Sequence, residues 1–410
     1  MKGTFGKFAT DRQERINYER MRNYRLARTR EQMKKDGIGC LVSWEAWDIR
    51  YIAGVYVTIP TRWLEGQCVI LPRNGDPYVY AVTSFSPYRM REEIPWLKNK
   101  IWPMISGTKM AETISDVSPV VDTVANIMAE HGISKETLGL DGCSSELLMA
   151  EAFKEKKIKV MDAKSTMFQA RKIKNQDEIE CVRMACSNAE AAFADITDAI
   201  RPGIKECELV GIGMNRLYAA GADETQEFVC SSGPRTNPLC IDYTDREVRP
   251  GELVIIDING NSWHGYKSCY YRTFCCGRAT PEQKEIYEEN RAMIYAGMSA
   301  IKAGNTTLDV CSKWPTTPKY WGYNKWEDVG GYAVGHGVGI SLHEFPFMSY
   351  PQAKAHPVEL EEGMLLALET WTGKKGGKDG VRLEEMVAVT KDGYDLLTEW
   401  PINELTECWV

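Results

Sequence analysis

Between residues 255 and 385 this chain sets ionisable side chains into short runs that read as buried strands. Asp257 lies in Ile255–Ile256–Asp257–Ile258–Asn259, and Cys269 in Gly265–Tyr266–Lys267–Ser268–Cys269–Tyr270–Tyr271–Arg272–Thr273–Phe274. The stretch Gly335–His336–Gly337–Val338–Gly339 leads into Leu342–His343–Glu344–Phe345–Pro346. Glu369 follows an apolar run, and Val381–Arg382–Leu383–Glu384–Glu385 comes after it. Only five His are present, and two of them fall within this one short motif, which points to chemistry rather than packing. Purely structural duty for Asp257, His336, Glu369 and Glu384 together is the weaker reading.

With 410 residues, two domains are expected, each with a core of its own. The 43% apolar and 26% charged content is that of a soluble globular protein. A net charge of −7 without a basic cluster argues against nucleic acid as a partner. The Arg- and Lys-rich start lacks an apolar stretch, so no secretory signal is expected, and no window is long and apolar enough for a membrane span. The thirteen Cys are odd in number and scattered, with no Cys-x-x-Cys pair. That speaks against both a disulfide framework and the usual structural zinc site, and for a reducing cytoplasm.

Residues 12–36 read as a charged helix, followed by strands at 38–42, 68–72 and 78–80, a helix at 120–131 and a strand at 138–141. Strands alternating with helices predict an α/β N-terminal domain over residues 1–170. The clearest helix comes next. Ile179, Val182, Cys186, Ala189, Phe193, Ile196 and Ile200 recur at spacings of three and four, Asn175 and Glu178 form a capping box, and Pro202–Gly203 stops it. The second domain, residues 171–410, continues with a helix at 206–220, strands near 253–258 and 266–276, a helix at 282–302, and strands at 364–370 and 381–389.

The order of carboxylate, His and two Glu, with His-Gly-Val-Gly, His-Glu-x-Pro and Arg-Leu-Glu-Glu, resembles the pita-bread (M24-type) metallopeptidase family. That family includes methionine aminopeptidase, aminopeptidase P, prolidase and creatinase. The resemblance implies an α+β architecture: a C-terminal pita-bread domain preceded by a creatinase-type α/β domain. It also implies a homodimer. Metal-bound members hold two divalent ions with two Asp, one His and two Glu. The matching residues here are Asp257, Cys269, His336, Glu369 and Glu384.

Cys269 stands where most metal-binding members carry a second Asp. As a thiolate it restores the missing negative charge and softens the site toward zinc or iron, with manganese still possible and one or two ions open. The opposing reading is a space-filling cysteine in a metal-free pocket, as in creatinase. Asn259, two residues past Asp257 on the same strand face, is an extra oxygen donor. Arg382, two before Glu384, is expected to orient that carboxylate. In the resembled hydrolases the second His, here His343, acts on the tetrahedral intermediate or the leaving group, and with Glu369 forms the catalytic pair.

Substrate-side positions depart from the family pattern. Cys240 and Tyr332 stand where hydrolase and prolidase-like members place His. Gly233–Pro234–Arg235–Thr236–Asn237–Pro238 resembles instead the branch containing dimethylsulfoniopropionate lyase, which is expected to carry an acidic base near His343. In creatinase a loop supplies an Arg to the substrate carboxylate, and Arg62, with Trp63 beside it, falls close to that place. Trp44, Trp47 and Tyr51 are expected to be core. Three readings follow: a metal-dependent hydrolase of an amide-type C–N bond in a small carboxylate-bearing substrate or Xaa-Pro-like dipeptide; a C–S lyase; or a metal-free amidinohydrolase or non-catalytic binding module.

Overall fold

The computed structural model describes residues 15–56, 67–81, 86–103, 116–142 and 146–410. The chain forms two compact units, one spanning Asn17–Arg171 and the other running on from Lys172 to Val410.

The first unit is built on a six-stranded mixed sheet. Its strands are β1 (Ile38–Ser43), β2 (Cys68–Pro72), β3 (Tyr78–Ala81), β4 (Ile101–Pro103), β5 (Thr137–Asp141) and β6 (Val160–Asp162), in spatial order β4-β3-β2-β1-β5-β6. β1 and β2 are buried at every position, as a central pair should be. The helix Ser118–Glu130 covers part of the sheet through Val120, Val121, Val124, Ile127 and Met128. Trp44 and Tyr51 are core, and the Tyr51 hydroxyl donates to the Ala170 carbonyl at 3.1 Å. Trp47 is only half-buried. Arg62 and Trp63 lie outside the described residues.

The second unit opens with the long helix Gln176–Ala199. Its capping box is complete: the Asn175 side chain accepts from the N–H of Asp177 and Glu178 at 3.0 Å each, and Glu178 accepts from the Asn175 N–H at 2.9 Å. The unit holds two larger sheets and a two-stranded hairpin. One contains β7 (Glu227–Ser232), β8 (Leu253–Asn259), β11 (Tyr271–Cys276) and β17 (Thr406–Cys408) in the order β17-β11-β8-β7. The hairpin β9 (Asn261–Trp263) and β10 (Tyr266–Ser268) lies between β8 and β11 in sequence and packs on the long helix.

The other sheet contains β12 (Val334–Gly337), β13 (Glu344–Met348), β14 (Leu365–Gly373), β15 (Gly380–Val389) and β16 (Tyr394–Leu396), in the order β13-β12-β14-β15-β16. The helix Pro281–Met298 packs against β14 and β15 through Ile286, Met293 and Ile294. β11 and β15 meet without a shared ladder. Thr273 Oγ1 donates to the Arg382 carbonyl at 2.7 Å and accepts from its N–H at 3.0 Å.

One element differs from the sequence reading. The continuous strand expected over 266–276 is broken at Cys269 and Tyr270. β10 pairs back on β9, and β11 starts afresh on β8, with Tyr271 opposite Asp257. Cys269 therefore sits in the gap between two pairings, where its direction is not tied to a strand's alternation.

Candidate metal centre

Four strands of the second unit, and the gap between two others, bring the site together. β8 carries Asp257, and the gap before β11 carries Cys269. β12 carries His336, while β14 and β15 carry Glu369 and Glu384 as directly opposed cross-strand neighbours. One His nitrogen, the Cys269 sulfur and a Glu384 oxygen lie within 4.8 Å of one another, and all three residues are buried. Cys269 Sγ is 3.6 Å from His336 Nε2, and Glu369 Oε1 is 3.8 Å from the same nitrogen.

The imidazole is held for ligation. His336 Nδ1–H donates to the Gly337 carbonyl at 2.8 Å, which leaves Nε2 as the lone-pair nitrogen facing the cluster. Burial holds this imidazole below its usual pKa, despite the pull of Glu369, and so favours the neutral ligand form. Gly337 and Gly339 are explained by close approach. A Cβ on Gly337 would lie 2.4 Å from the Phe345 carbonyl oxygen, and one on Gly339 would lie 2.7 Å from Lys174 Cε.

The carboxylates divide into two kinds. Glu369 is paired with the Arg382 guanidinium, which also donates to the Tyr332 carbonyl at 3.0 Å. Burial pushes Glu369 up, but Arg382, His336 and His343 outweigh it and hold it below the usual carboxylate range. Arg382 was expected to orient Glu384; it reaches diagonally across the strand pair to Glu369 instead. Among the described residues, Asp257 and Glu384 have no cationic partner in contact. Burial pushes both well above the usual range, and repulsion from neighbouring carboxylates adds to it. The Cys269 thiol is pushed well above its usual range by burial and then by Glu384, Asp257 and Glu369.

These features fit a bound cation. Among the described residues, Asp257 Oδ1 and Glu384 Oε1 are buried with no hydrogen-bond partner, an unusual and costly state for carboxylate oxygens. A divalent ion reverses this local charge logic and deprotonates a coordinating thiol outright. The expected set of Asp257, Cys269, His336, Glu369 and Glu384 thus shares one buried cluster, with Cys269, His336 and Glu384 at its centre.

Asn259 joins the cluster as a partner of its neighbours: its amide donates to Asp257, and its Oδ1 lies 2.9 Å from Cys269 Sγ. His343 is exposed, its ring centroid 4.5 Å from that of His336. It therefore borders the cluster on the solvent side. Tyr332 stacks edge-on against Trp326 at 5.6 Å and touches the centre only through Arg382. Cys240 is tied to its own turn, with its N–H on the Arg235 carbonyl at 3.0 Å and its sulfur 3.8 Å from the Pro238 carbonyl.

Residues 180–391 match the model of metallopeptidase family M24, and residues 25–173 match the creatinase/prolidase N-terminal domain. This chain belongs to metallopeptidase family M24. It is an M24 metallohydrolase of the pita-bread fold, in a family that uses divalent metals. The Xaa-Pro dipeptidase of Pyrococcus furiosus is 31% identical over 271 residues, covering 64% of this chain and 74% of the dipeptidase. Dimethylsulfoniopropionate lyase DddP of Roseovarius nubinhibens is 24% identical over 419 residues, covering 97% of this chain and 90% of the lyase. Among solved structures, the Xaa-Pro dipeptidase from Bacillus anthracis matches with a TM-score of 0.73 and 23% identity over 95% of this chain and 99% of that one.

One residue of this M24 site was not singled out from sequence. Lys174 lies at the start of the second unit. Its ammonium is buried against Glu344 at 2.7 Å, and Glu344 also accepts from the Ser341 N–H at 3.1 Å. This pair fixes the turn that presents His343. With 170 residues between the partners, no local pattern links them.

Proposed function

We propose that this M24 enzyme hydrolyses the amide-type C–N bond of a small carboxylate-bearing substrate, of which an Xaa-Pro dipeptide is the model. The observation that carries this reading is the exposed His343 set beside a buried Cys269–His336–Glu384 cluster. Its similarity to Xaa-Pro dipeptidases supports the substrate class.

Cys269, His336 and Glu384, with Asp257 and Glu369 nearby, would hold a divalent ion, which would supply Lewis acidity and lower the pKa of water. The chain's own residues do the rest. Glu369, kept ionised by Arg382, is placed to accept the proton of the attacking water. His343 faces outward, where it stabilises the oxyanion as it forms and passes a proton to the departing nitrogen. The buried Lys174–Glu344 pair holds the turn that positions His343. Arg62 and Trp63 are assigned to the substrate carboxylate, and the homodimer to this enzyme, by resemblance alone; the cytoplasmic location rests on the scattered cysteines.

The lyase reading is favoured by one observation: the Roseovarius relative aligns over 97% of this chain. It requires a base that abstracts a proton α to a carboxylate, and His343 stands where that branch is expected to carry an acid. The test uses metal-loaded enzyme with alanyl-proline and, in parallel, dimethylsulfoniopropionate. Release of proline is expected, and His343→Ala is expected to lower turnover by about 10²–10⁴-fold with metal content unchanged. Release of dimethyl sulfide without proline would replace the hydrolase by the lyase.

A further inference from the structure

The donors around this centre are not equally free. His336 Nε2 has its other ring nitrogen committed to Gly337, and Glu384 Oε1 is fully buried without a partner. Cys269 Sγ is 3.6 Å from His336 Nε2 and within 4.8 Å of a Glu384 oxygen. Asp257 and Glu369 are each already engaged by a buried protein donor. Asn259 is the key group. One end of its amide donates to Asp257 Oδ2 and the other lies 2.9 Å from Cys269 Sγ, so that it bridges the two side chains. Only 6% of Asn259 is exposed, which leaves water little access to replace either contact.

We infer that this centre takes a single divalent ion, held by Cys269, His336 and Glu384, and that the Asn259 amide fills the space between Asp257 and Cys269 that a second ion would need. The inference rests on the metal-enzyme reading above. Charge supports the count. The Cys269 thiolate and the Glu384 carboxylate together neutralise one divalent ion, and binding sends to solvent the Cys269 proton that Asn259 Oδ1 accepts, leaving the amide held by its bond to Asp257. Arg382 cancels Glu369. Asp257 alone would be left to balance a second ion, with the guanidinium of Arg382 nearby to repel it. Asp257 would also have to leave Asn259, stranding a buried amide. A thiolate, an imidazole and one carboxylate form a borderline-soft set suited to zinc, cobalt or ferrous iron.

The test is a cobalt titration of the full apoprotein, with elemental analysis per chain and an absorption spectrum. One cobalt per chain is expected, with a thiolate-to-cobalt charge-transfer band in the near ultraviolet. Cys269→Ser should lose the band and bind at least tenfold more weakly, while Cys275→Ser and Cys276→Ser keep it. The wild-type band alone decides whether a thiolate ligates, so the result does not depend on the variant folding. The double variant Asn259→Gly, Cys269→Asp should take up two cobalt ions. Two cobalt ions on each wild-type chain, or one without the thiolate band, would overturn the inference and leave the hydrolase reading standing. No cobalt on a folded wild-type chain would overturn both.

Discussion

Glu384 and Glu385 are adjacent on β15, point to opposite faces, and are both essentially buried. Their surroundings differ completely. Glu385 meets Arg272 with both oxygens at 3.0 Å and accepts from Thr398, while Arg272 also donates to the Trp400 carbonyl at 2.9 Å. Glu384 accepts from the Tyr271 N–H at 3.1 Å, and its Oε1 is buried without a hydrogen-bond partner among the described residues. Burial raises both carboxyls. Arg272 opposes the rise at Glu385, whereas Glu369 adds to it at Glu384, which ends well above its usual range. A closed ion pair is what a fold needs to tolerate buried charge. An open cluster of acceptors on the next residue is a place kept for something else.

The largest effect should come from breaking the closed face. Arg272→Met strands Glu385 in the core and is expected to cost about 3–5 kcal/mol in chemical denaturation. The open face should behave in the opposite way. Glu384→Gln removes a repelling charge, so the metal-free chain is expected to be as stable as wild type or more so. Its metal affinity should fall by more than the roughly 10–100-fold typical of an outer partner, measured by equilibrium dialysis. A Glu384→Gln chain that unfolds like Arg272→Met would erase the distinction.

Arg382→Lys keeps the charge beside Glu369 but loses the planar fork that also reaches the Tyr332 carbonyl. A drop of roughly 10–100-fold in turnover or metal affinity is expected, with little change in the denaturation midpoint. The smallest change calibrates the others. Asn175→Ala removes the capping box of the helix Gln176–Ala199 and should cost about 1 kcal/mol while metal binding stays intact. A loss of metal in that variant would mean that the centre responds to general stability rather than to its own ligands.

Much of this was legible in the chain. The capping box and the three-and-four spacing of Ile179 to Ile196 announced the long helix because those signals are local. The cluster was legible because each member sits in its own distinctive run, and the family resemblance gave their common destination. What stayed hidden depended on direction and on distant partners. Nothing in the residues around 269 shows that the strand breaks there, because Tyr266 before it and Tyr271, Thr273 and Phe274 after it all favour strands; the break appears only once β10 pairs with β9. Arg382 shares a strand face with Glu384, yet the cross-strand register gives it Glu369. Lys174 met Glu344 across 170 residues. The role of the loop containing Arg62 and Trp63 falls outside the described residues.

The central claim is that the open face of β15 exists to hold a cation. It is tested most directly by denaturing the metal-free wild-type and Glu384→Gln chains side by side, with and without zinc at a fixed concentration. At a concentration of about 100 times the dissociation constant, zinc should stabilise the wild type by about 2.7 kcal/mol. The Glu384→Gln chain should start at or above the metal-free wild type and move little. A wild-type midpoint that zinc leaves in place, or equal stabilisation of both chains, would contradict the account.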